Sequence, residues 1–216
     1  MLKNFKTVNE FAEAEIIEKK SRFIATVKPV ESEEEAQDFI AELKKKYWNA
    51  THNVFAYQIG ERNEIQRQSD DGEPSGTAGL PVLDVLRGED IKNTVVVVTR
   101  YFGGTLLGTG GLVRAYGKAA KEGVLASKII EKILYKYVHI TVDYNSSGKI
   151  QYETLQQEHI INDTEYTDKV KFTILCEYDK AEPFIKHITN ISNATALIEE
   201  GKEAYGKWLD GQLIMD

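Results

Sequence analysis

The run Thr94-Val-Val-Val-Val-Thr99 continues directly into Arg100-Tyr-Phe-Gly-Gly104, and Gly108-Thr-Gly-Gly-Leu112 follows after three further residues. Four consecutive valines show no alternation with polar residues, which is typical of a strand buried on both faces. We therefore predict a central sheet strand at 94–99, followed by a glycine-rich loop. A helix beyond the loop is indicated by apolar residues at helical spacing: Leu112, Ala115, Tyr116, Ala119, Ala120 and Val124.

The residues before this run predict the rest of a mixed domain. Alternating apolar residues predict four strands, at 13–19, 22–27, 53–59 and 64–68. Ser32 followed by Glu35 forms a capping-box pattern, and the apolar stripe beyond it predicts a helix over 33–47. A second helix is predicted over 78–87, with Thr77 as its cap.

The chain after about residue 130 has a regular order of predicted elements. They are a strand at 132–143, a helix at 146–158, strands at 159–164 and 169–177, a helix at 180–191 and a strand at 194–199. This βαββαβ order predicts a ferredoxin-like domain. The expected fold class is therefore α+β, with two domains at 1–130 and 131–216.

Composition excludes several classes of protein. The net charge is −7 over 216 residues, which opposes a general electrostatic attraction to nucleic acid or to anionic lipid. Residues 1–130 carry 18 basic and 19 acidic side chains, whereas residues 131–216 carry 9 and 15, so most of the negative charge lies in the second part. The only cysteine, Cys176, cannot form an internal disulfide, and no Cys/His group has zinc spacing. We expect neither a metal nor a cofactor.

The chain contains no apolar run of 18 residues, and its opening, MLKNFKTVNEFAEAE, is too polar for a signal peptide. We therefore expect a cytoplasmic protein without a membrane span.

An acidic loop, Ser69-Asp-Asp-Gly-Glu-Pro-Ser-Gly-Thr77, places three carboxylates in nine positions. One hypothesis is that Asp70, Asp71 and Glu73 bind a hard cation or supply a general base, with His52 as an acid–base partner. The alternative is a turn in which Asp70 and Ser69 accept hydrogen bonds from nearby backbone amides. The acidic residues do not follow the alternating pattern of a calcium loop.

The glycine loop after the valine strand is the second candidate site. A helix that begins after such a loop can direct free backbone amides at an anion, and nearby cations would add charge. The candidate anion- or RNA-binding residues are Arg100, Gly103, Gly104, Gly108, Gly110, Gly111, Arg114 and Lys118. The spacing matches neither the P-loop nor the dinucleotide motif, so a purely conformational role for the glycines stays open. The run Lys44-Lys-Lys-Tyr-Trp48 is a weaker candidate for RNA contact.

Taken together, these segments resemble the IMPACT family, which is also called the YigZ family in bacteria. The resemblance rests on five strings in order: Lys20-Ser-Arg-Phe-Ile-Ala25, Ala50-Thr-His-Asn53, Ser69-Asp-Asp-Gly-Glu-Pro-Ser-Gly-Thr-Ala78, Val98-Thr-Arg-Tyr-Phe-Gly-Gly104 and Leu107-Gly-Thr-Gly-Gly-Leu-Val-Arg-Ala-Tyr116. It implies an N-terminal βαβ sandwich similar to the second domain of a small-subunit ribosomal protein and to domain IV of elongation factor G. It also implies a ferredoxin-like C-terminal domain similar to domain V of that factor.

The resemblance implies a role in translation, because eukaryotic relatives of the N-terminal domain act in translation control. The main hypothesis is a non-enzymatic regulator that binds the ribosome, RNA or a translation-associated protein, with Arg100, Gly103 to Gly111 and Arg114 on the contact surface. The alternative is an enzyme that acts on a small phosphorylated or amide-type substrate in the cleft between acidic loop 69–77 and glycine loop 103–111. A module that binds only protein is a third interpretation.

Overall fold

The computed structural model describes residues 1–216. These residues form two compact units. One unit is Phe5–Glu131, and the other combines Met1–Asn4 with Lys132–Asp216. This division differs from the predicted bounds of 1–130 and 131–216 chiefly because residues 1–4 group with the second unit. They are held there by Leu134, whose backbone N–H donates to the Lys3 carbonyl, and by the Tyr205 hydroxyl, which donates to the Leu2 carbonyl.

The first unit contains a five-stranded sheet and three helices. In chain order the elements are β1 (Asn4–Val8), β2 (Ala12–Glu18), β3 (Ser21–Pro29), α1 (Glu33–Lys46), β4 (His52–Ile59), β5 (Ile65–Ser69), α2 (Gly79–Gly88), β6 (Thr94–Tyr101) and α3 (Thr109–Ala126). The sheet order is β2-β3-β6-β4-β5, so β1 is not one of its strands. Every neighbouring pair in this sheet is antiparallel. Because β3 and β4 both pair with β6, the segment β3-α1-β4 is a βαβ unit split by a central strand.

The valine strand lies at the centre of this sheet, as predicted. Val96 and Val98 pack into the core beneath α2 and α3, and Val95 and Val97 pack beneath α1 on the opposite face. All four side chains are fully buried. A strand that is covered on both faces explains why its sequence does not alternate with polar residues.

The second unit has the predicted ferredoxin-like order, followed by an additional strand. Its elements are β7 (Ile129–Val142), α4 (Tyr144–Gln156), β8 (Ile160–Tyr166), β9 (Val170–Glu177), α5 (Tyr178–Ile191), β10 (Leu197–Leu209) and β11 (Gln212–Met215). Within the sheet order β11-β10-β7-β9-β8, the first four strands of the unit lie in the ferredoxin-like arrangement 4-1-3-2. Residues 201–216 lie beyond the predicted βαββαβ order. They contain the second part of β10 and the whole of β11, which pair as a hairpin.

Of the two predicted helix caps, the structure contains one. The helix over 33–47 is confirmed as α1, and Ser32 Oγ accepts the Glu35 N–H at 3.1 Å as the capping box predicts. The prediction that Thr77 caps the next helix is wrong. Ala78 is the cap residue of α2, and the Thr77 hydroxyl donates instead to the Pro74 carbonyl at 2.7 Å. No helix of either unit is both long and apolar enough to cross a membrane.

Candidate functional site: two adjacent cavities at the glycine loop

A cavity of about 410 Å³ lies in the first unit where β4, the acidic loop and the glycine loop meet. We call it the polar cavity, because three of its lining side chains are ionisable: His52, Glu73 and Arg100. The remaining lining residues are Thr51, Pro74, Phe102, Leu106, Leu107, Gly108, Thr109 and Leu112. Residues of the acidic loop and of the glycine loop therefore line a common cavity.

A buried ion pair forms one side of this cavity. Arg100 Nη1 lies 2.5 Å from Glu73 Oε1, and only 6% and 4% of the two side chains are exposed. The Tyr116 hydroxyl donates to the same Glu73 oxygen at 2.7 Å. Burial and the neighbouring carboxylate raise the pKa of Tyr116 far above its ordinary value, so this hydroxyl remains a donor. Glu73 Oε1 is thus saturated by two donors, whereas Glu73 Oε2 accepts no hydrogen bond within the protein.

The prediction that Arg100 belongs to an exposed basic surface is wrong. Its guanidinium is neutralised by Glu73, and it lies 5.4 Å from the Phe23 ring centre and 5.5 Å from that of Phe102. Nη2 makes a long contact of 3.4 Å with Ser21 Oγ, and Nε is buried without any hydrogen-bond partner. Arg100 follows four buried valines on the central strand, and this position places its side chain inside the unit.

His52 faces the same cavity with a defined tautomer. Its Nδ1 lies 2.8 Å from the Asp71 backbone carbonyl, which can only accept, so Nδ1 carries the proton. In the neutral ring Nε2 is then an acceptor, and it lies 3.7 Å from Glu73 Oε1. The structure therefore brings His52 and Glu73 together, as the acid–base hypothesis requires.

The other two carboxylates of the acidic loop have structural partners. Asp70 accepts the backbone N–H groups of Gly76, Ala78 and Gly79 at 2.8–3.0 Å, and so it caps the start of α2. Burial alone would raise the pKa of Asp70, but these donors outweigh burial and hold the pKa below its ordinary value. The alternative interpretation of a backbone-binding turn is therefore correct for Asp70.

Asp71 is held in place by groups outside the loop. It accepts the Lys44 ammonium at 2.7 Å and the Asn53 N–H at 2.7 Å. Burial would raise the pKa of Asp71, but Lys44, Asn53 and His52 together lower it. The three carboxylates do not converge, and no group of acidic, His or Cys side chains has an arrangement that could hold a metal. The Lys44–Asp71 pair also removes Lys44 from the candidate RNA surface.

The glycines of the loop serve different purposes. A Cβ at Gly103 would lie 2.1 Å from the Lys20 backbone, so only glycine fits there. Gly104 and Gly108 have φ values of +81° and +74°, in the region that favours glycine. Nothing crowds Gly110, and Gly111 approaches only the Leu107 side chain. The crowding at Gly103 and the positive φ values of Gly104 and Gly108 support a conformational role for these three glycines.

The start of α3 presents free backbone amides. The first intrahelical bond runs from Leu112 N–H to the Gly108 carbonyl, and no side chain caps the helix. The N–H groups of Thr109, Gly110 and Gly111 are thus without an intrahelical acceptor. Gly108 and Thr109 line the polar cavity, so this helix end faces it.

A second cavity of about 230 Å³ lies on the other side of the glycine loop. We call it the basic cavity, because Lys19, Arg114 and Lys118 line it against a single carboxylate, that of Glu18. None of the three cations forms an ion pair in the protein. Leu107 lines both cavities, so the two are adjacent.

The structure therefore divides the predicted anion site in two. Arg114, Lys118 and Gly111 line the basic cavity, whereas Arg100 and Gly108 line the polar one. Lys19 and Tyr116 were not among the predicted site residues, because neither carries a sequence signal of a functional role. Lys19 belongs to the tight β2–β3 turn, where its φ of +44° is unusual for a lysine. In the sequence, Tyr116 occupies an ordinary apolar position of the helix α3.

The rim of the polar cavity is apolar and exposed. Leu106 is 82% exposed and Phe102 is 46% exposed, although both lie within a few residues of the end of the buried strand β6. Exposed apolar side chains that surround a polar cavity are typical of a binding site.

Comparison with known protein families gives two matches. Residues 19–124 match the Impact N-terminal domain, and residues 140–195 match a domain of unknown function, DUF1949. The first match contains every residue of both cavities except Glu18, which directly precedes it.

Relatives match over nearly the whole chain. The IMPACT family member YvyE of Bacillus subtilis is 44% identical over 205 residues, which are 95% of this chain and 94% of that protein. An IMPACT family member of Thermus thermophilus is 34% identical over 83% of this chain and 98% of its own. A crystal structure of a hypothetical protein covers 92% of this chain and 97% of its own, at 27% identity and a TM-score of 0.60.

Proposed function

This chain belongs to the IMPACT family, and on that premise we propose that it is a non-enzymatic regulator of translation that acts in the cytoplasm by binding ribosomal RNA. The proposed contact surface is the basic cavity together with the exposed rim of the polar cavity. Residues 1–130 would provide this surface, with 131–216 as a companion domain.

The basic cavity carries this proposal. Lys19, Arg114 and Lys118 surround one small concavity, and none of them is neutralised by an ion pair. Their charge is therefore available to a phosphate, and an RNA backbone that binds there releases its counterions. The net charge of −7 does not oppose such a contact, because the surplus lies mainly in residues 131–216.

The rim favours RNA over a purely protein partner. Phe102 stands 46% exposed at the mouth of the polar cavity, beside the basic cavity. Aromatic rings next to unpaired cations are typical of proteins that bind single-stranded or looped RNA, because bases stack on the ring while the backbone contacts the cations.

The His52–Glu73 pair favours a second candidate, an enzyme for a small phosphorylated or amide-type substrate. Its difficulty is that Glu73 Oε1 already accepts hydrogen bonds from Arg100 and Tyr116, so this oxygen is not available to a substrate. His52 would be the only base, and the hydroxyls that line the cavity, those of Thr51 and Thr109, form no hydrogen bond with it that could activate them. Turnover of such a substrate that is abolished by His52→Ala would favour this candidate over ours.

Co-sedimentation with ribosomes at several salt concentrations tests the proposal. We expect the wild-type chain to bind and the Arg114→Ala/Lys118→Ala variant to bind more weakly. The slope of log affinity against log salt should fall by about two, roughly one for each lost phosphate contact. Arg62→Ala/Lys121→Ala is the matched control, because it removes one exposed arginine and one exposed lysine that line neither cavity.

Three results would contradict the proposal. They are the absence of binding at any salt concentration, equal loss in the two double variants, and binding that survives nuclease treatment of the target. The last result would make the partner a protein.

A further inference from the structure

Two hydrogen-bond acceptors at the polar cavity have no donor in the protein. Glu73 Oε2 accepts no hydrogen bond, although the Glu73 side chain is 4% exposed. His52 Nε2 is an acceptor without a donor, because its tautomer is fixed by the Asp71 carbonyl. Two acceptors without a donor at the same cavity, one of them on a side chain that is almost fully buried, indicate a ligand that donates to both.

Both unmatched groups are acceptors. The complementary ligand offers two separate N–H donor groups on one edge. Among the four RNA bases, only guanine does so on its Watson–Crick edge, through N1–H and the N2 amino group. Uracil offers two acceptors and one donor, whereas adenine and cytosine each offer a single donor group.

The cavity also suits a nucleobase in size and in its walls. Its volume of about 410 Å³ is within the usual range for small-ligand pockets, about 300–1,000 Å³. Leu106, Leu107 and Leu112 provide apolar walls, and the Phe102 ring at the rim is available for stacking.

The helix end and the basic cavity supply the second half of a nucleotide site. Gly108 and Thr109 bring the free amides at the start of α3 to the polar cavity, where the helix dipole favours an anion. Leu107 separates this position from Lys19, Arg114 and Lys118. A phosphate attached to a base in the polar cavity is therefore within reach of either group.

We propose that the polar cavity binds an unpaired guanine nucleotide, with the base held by Glu73 and His52 and the phosphate held at the start of α3 and in the basic cavity. This inference rests on the proposed function, because it specifies which part of an RNA the chain recognises. A free guanine mononucleotide presents the same groups and serves as the probe.

Calorimetric titration of the full chain with GMP, IMP, AMP and UMP tests the inference. IMP lacks only the 2-amino group of GMP, so it removes one donor and leaves O6 and N1–H in place. We expect GMP to bind about tenfold more tightly than IMP, the usual value of a lost base-edge contact, and more tightly still than AMP or UMP. Equal affinities for GMP and IMP, or no heat with any nucleotide at millimolar concentration, would overturn the inference.

Two variants check the assignment of groups. In Glu73→Gln the amide oxygen can still accept from Arg100 and Tyr116, and the amide nitrogen replaces the Oε2 acceptor by a donor. We expect the preference for GMP over IMP to disappear in this variant, with circular dichroism as the check on folding. Arg114→Ala/Lys118→Ala should weaken the binding of all four nucleotides and leave the ratio of the GMP affinity to the IMP affinity unchanged. A changed ratio there would count against the division of roles.

The ribosome experiment and the nucleotide experiment fail independently. Ribosome binding without discrimination between GMP and IMP would refute the guanine site and leave the proposed function standing. Discrimination between GMP and IMP without ribosome binding would refute the RNA proposal and identify a free guanine nucleotide as the ligand.

Discussion

Glu73 Oε1 lies 2.5 Å from Arg100 Nη1, in an ion pair with almost no exposure to solvent. The pair joins the acidic loop to the central strand, and Tyr116 connects the same oxygen to α3. Three elements that are distant in the chain are therefore fixed at one carboxylate oxygen. This geometry makes Arg100 a poor choice for testing surface binding, because its loss would change the whole cavity.

Replacement of Arg100 by alanine should strongly destabilise the chain. Removing one partner of a buried ion pair leaves the other charge uncompensated, which typically costs about 3–5 kcal/mol. Arg114→Ala is the matched control, because Arg114 is an exposed arginine without an ion pair and its loss should cost less than about 0.5 kcal/mol. Urea unfolding of both variants measures the difference. Similar stabilities would contradict the burial of the Arg100–Glu73 pair.

Asp70→Ala should destabilise the chain at neutral pH and do so less in acid. The three backbone amides at the start of α2 lose their acceptor, and loss of a helix cap typically costs about 1 kcal/mol. Because the folded chain lowers the pKa of Asp70, its contribution is complete above the ordinary aspartate pKa of about 4. It is lost as the pH falls through the lower, folded value.

The measurement is the difference in unfolding free energy between wild type and Asp70→Ala at several pH values. We expect this difference to be largest near neutral pH and to shrink on acidification. A difference that grows as the pH falls would mean that the carboxylate is not stabilised by the loop.

Gly103→Ala should be far more damaging than Gly110→Ala. The new Cβ at position 103 would lie 2.1 Å from the Lys20 backbone, so the glycine loop would have to move away from the β2–β3 turn. At position 110 the nearest atom is Arg114 Nη1 at 3.7 Å, and alanine is favoured over glycine in a helix. Thermal unfolding should show a lower midpoint for the first variant and an unchanged or higher one for the second. Equal midpoints would contradict this packing.

Cys176 should not react with a thiol reagent in the native protein. It lies in the core of the second unit, and burial raises its pKa to about 12, so almost none of it is thiolate at about pH 8. Because it is the only cysteine, labelling reports on this position alone. We expect complete labelling in denaturing guanidinium chloride and none in buffer. Fast labelling of the native chain would show that the second unit opens.

The sequence predicts most of the fold because its strongest patterns are local. The valine run, the Ser32 capping box and the βαββαβ order all depend on periodicity within a single element. The prediction fails where distant partners decide the structure. The hairpin at the end of the second unit carries no strong alternation, and α2 is capped by Asp70, eight residues before Ala78, instead of by the neighbouring Thr77.

The sequence predicts the candidate site only in part, because it shows which residues are charged but not which groups they pair with. Asp70, Asp71 and Glu73 look equivalent, yet they bind backbone amides, a lysine and a buried arginine respectively. Arg100 and Arg114 also look equivalent, although one is buried and the other is exposed. Pairing in three dimensions, rather than residue type, decides which of these groups remains available to a ligand.

Residues 1–4 group with residues 132–216, so the second unit is built from two separated pieces of the chain. During synthesis the carbonyls of Leu2 and Lys3 emerge long before Tyr205 and Leu134, which bind them, have been made. The first unit, by contrast, is complete once residue 131 has emerged. Because domains fold as units while the chain is being made, residues 1–4 become ordered only with the second unit, although they are translated before the first.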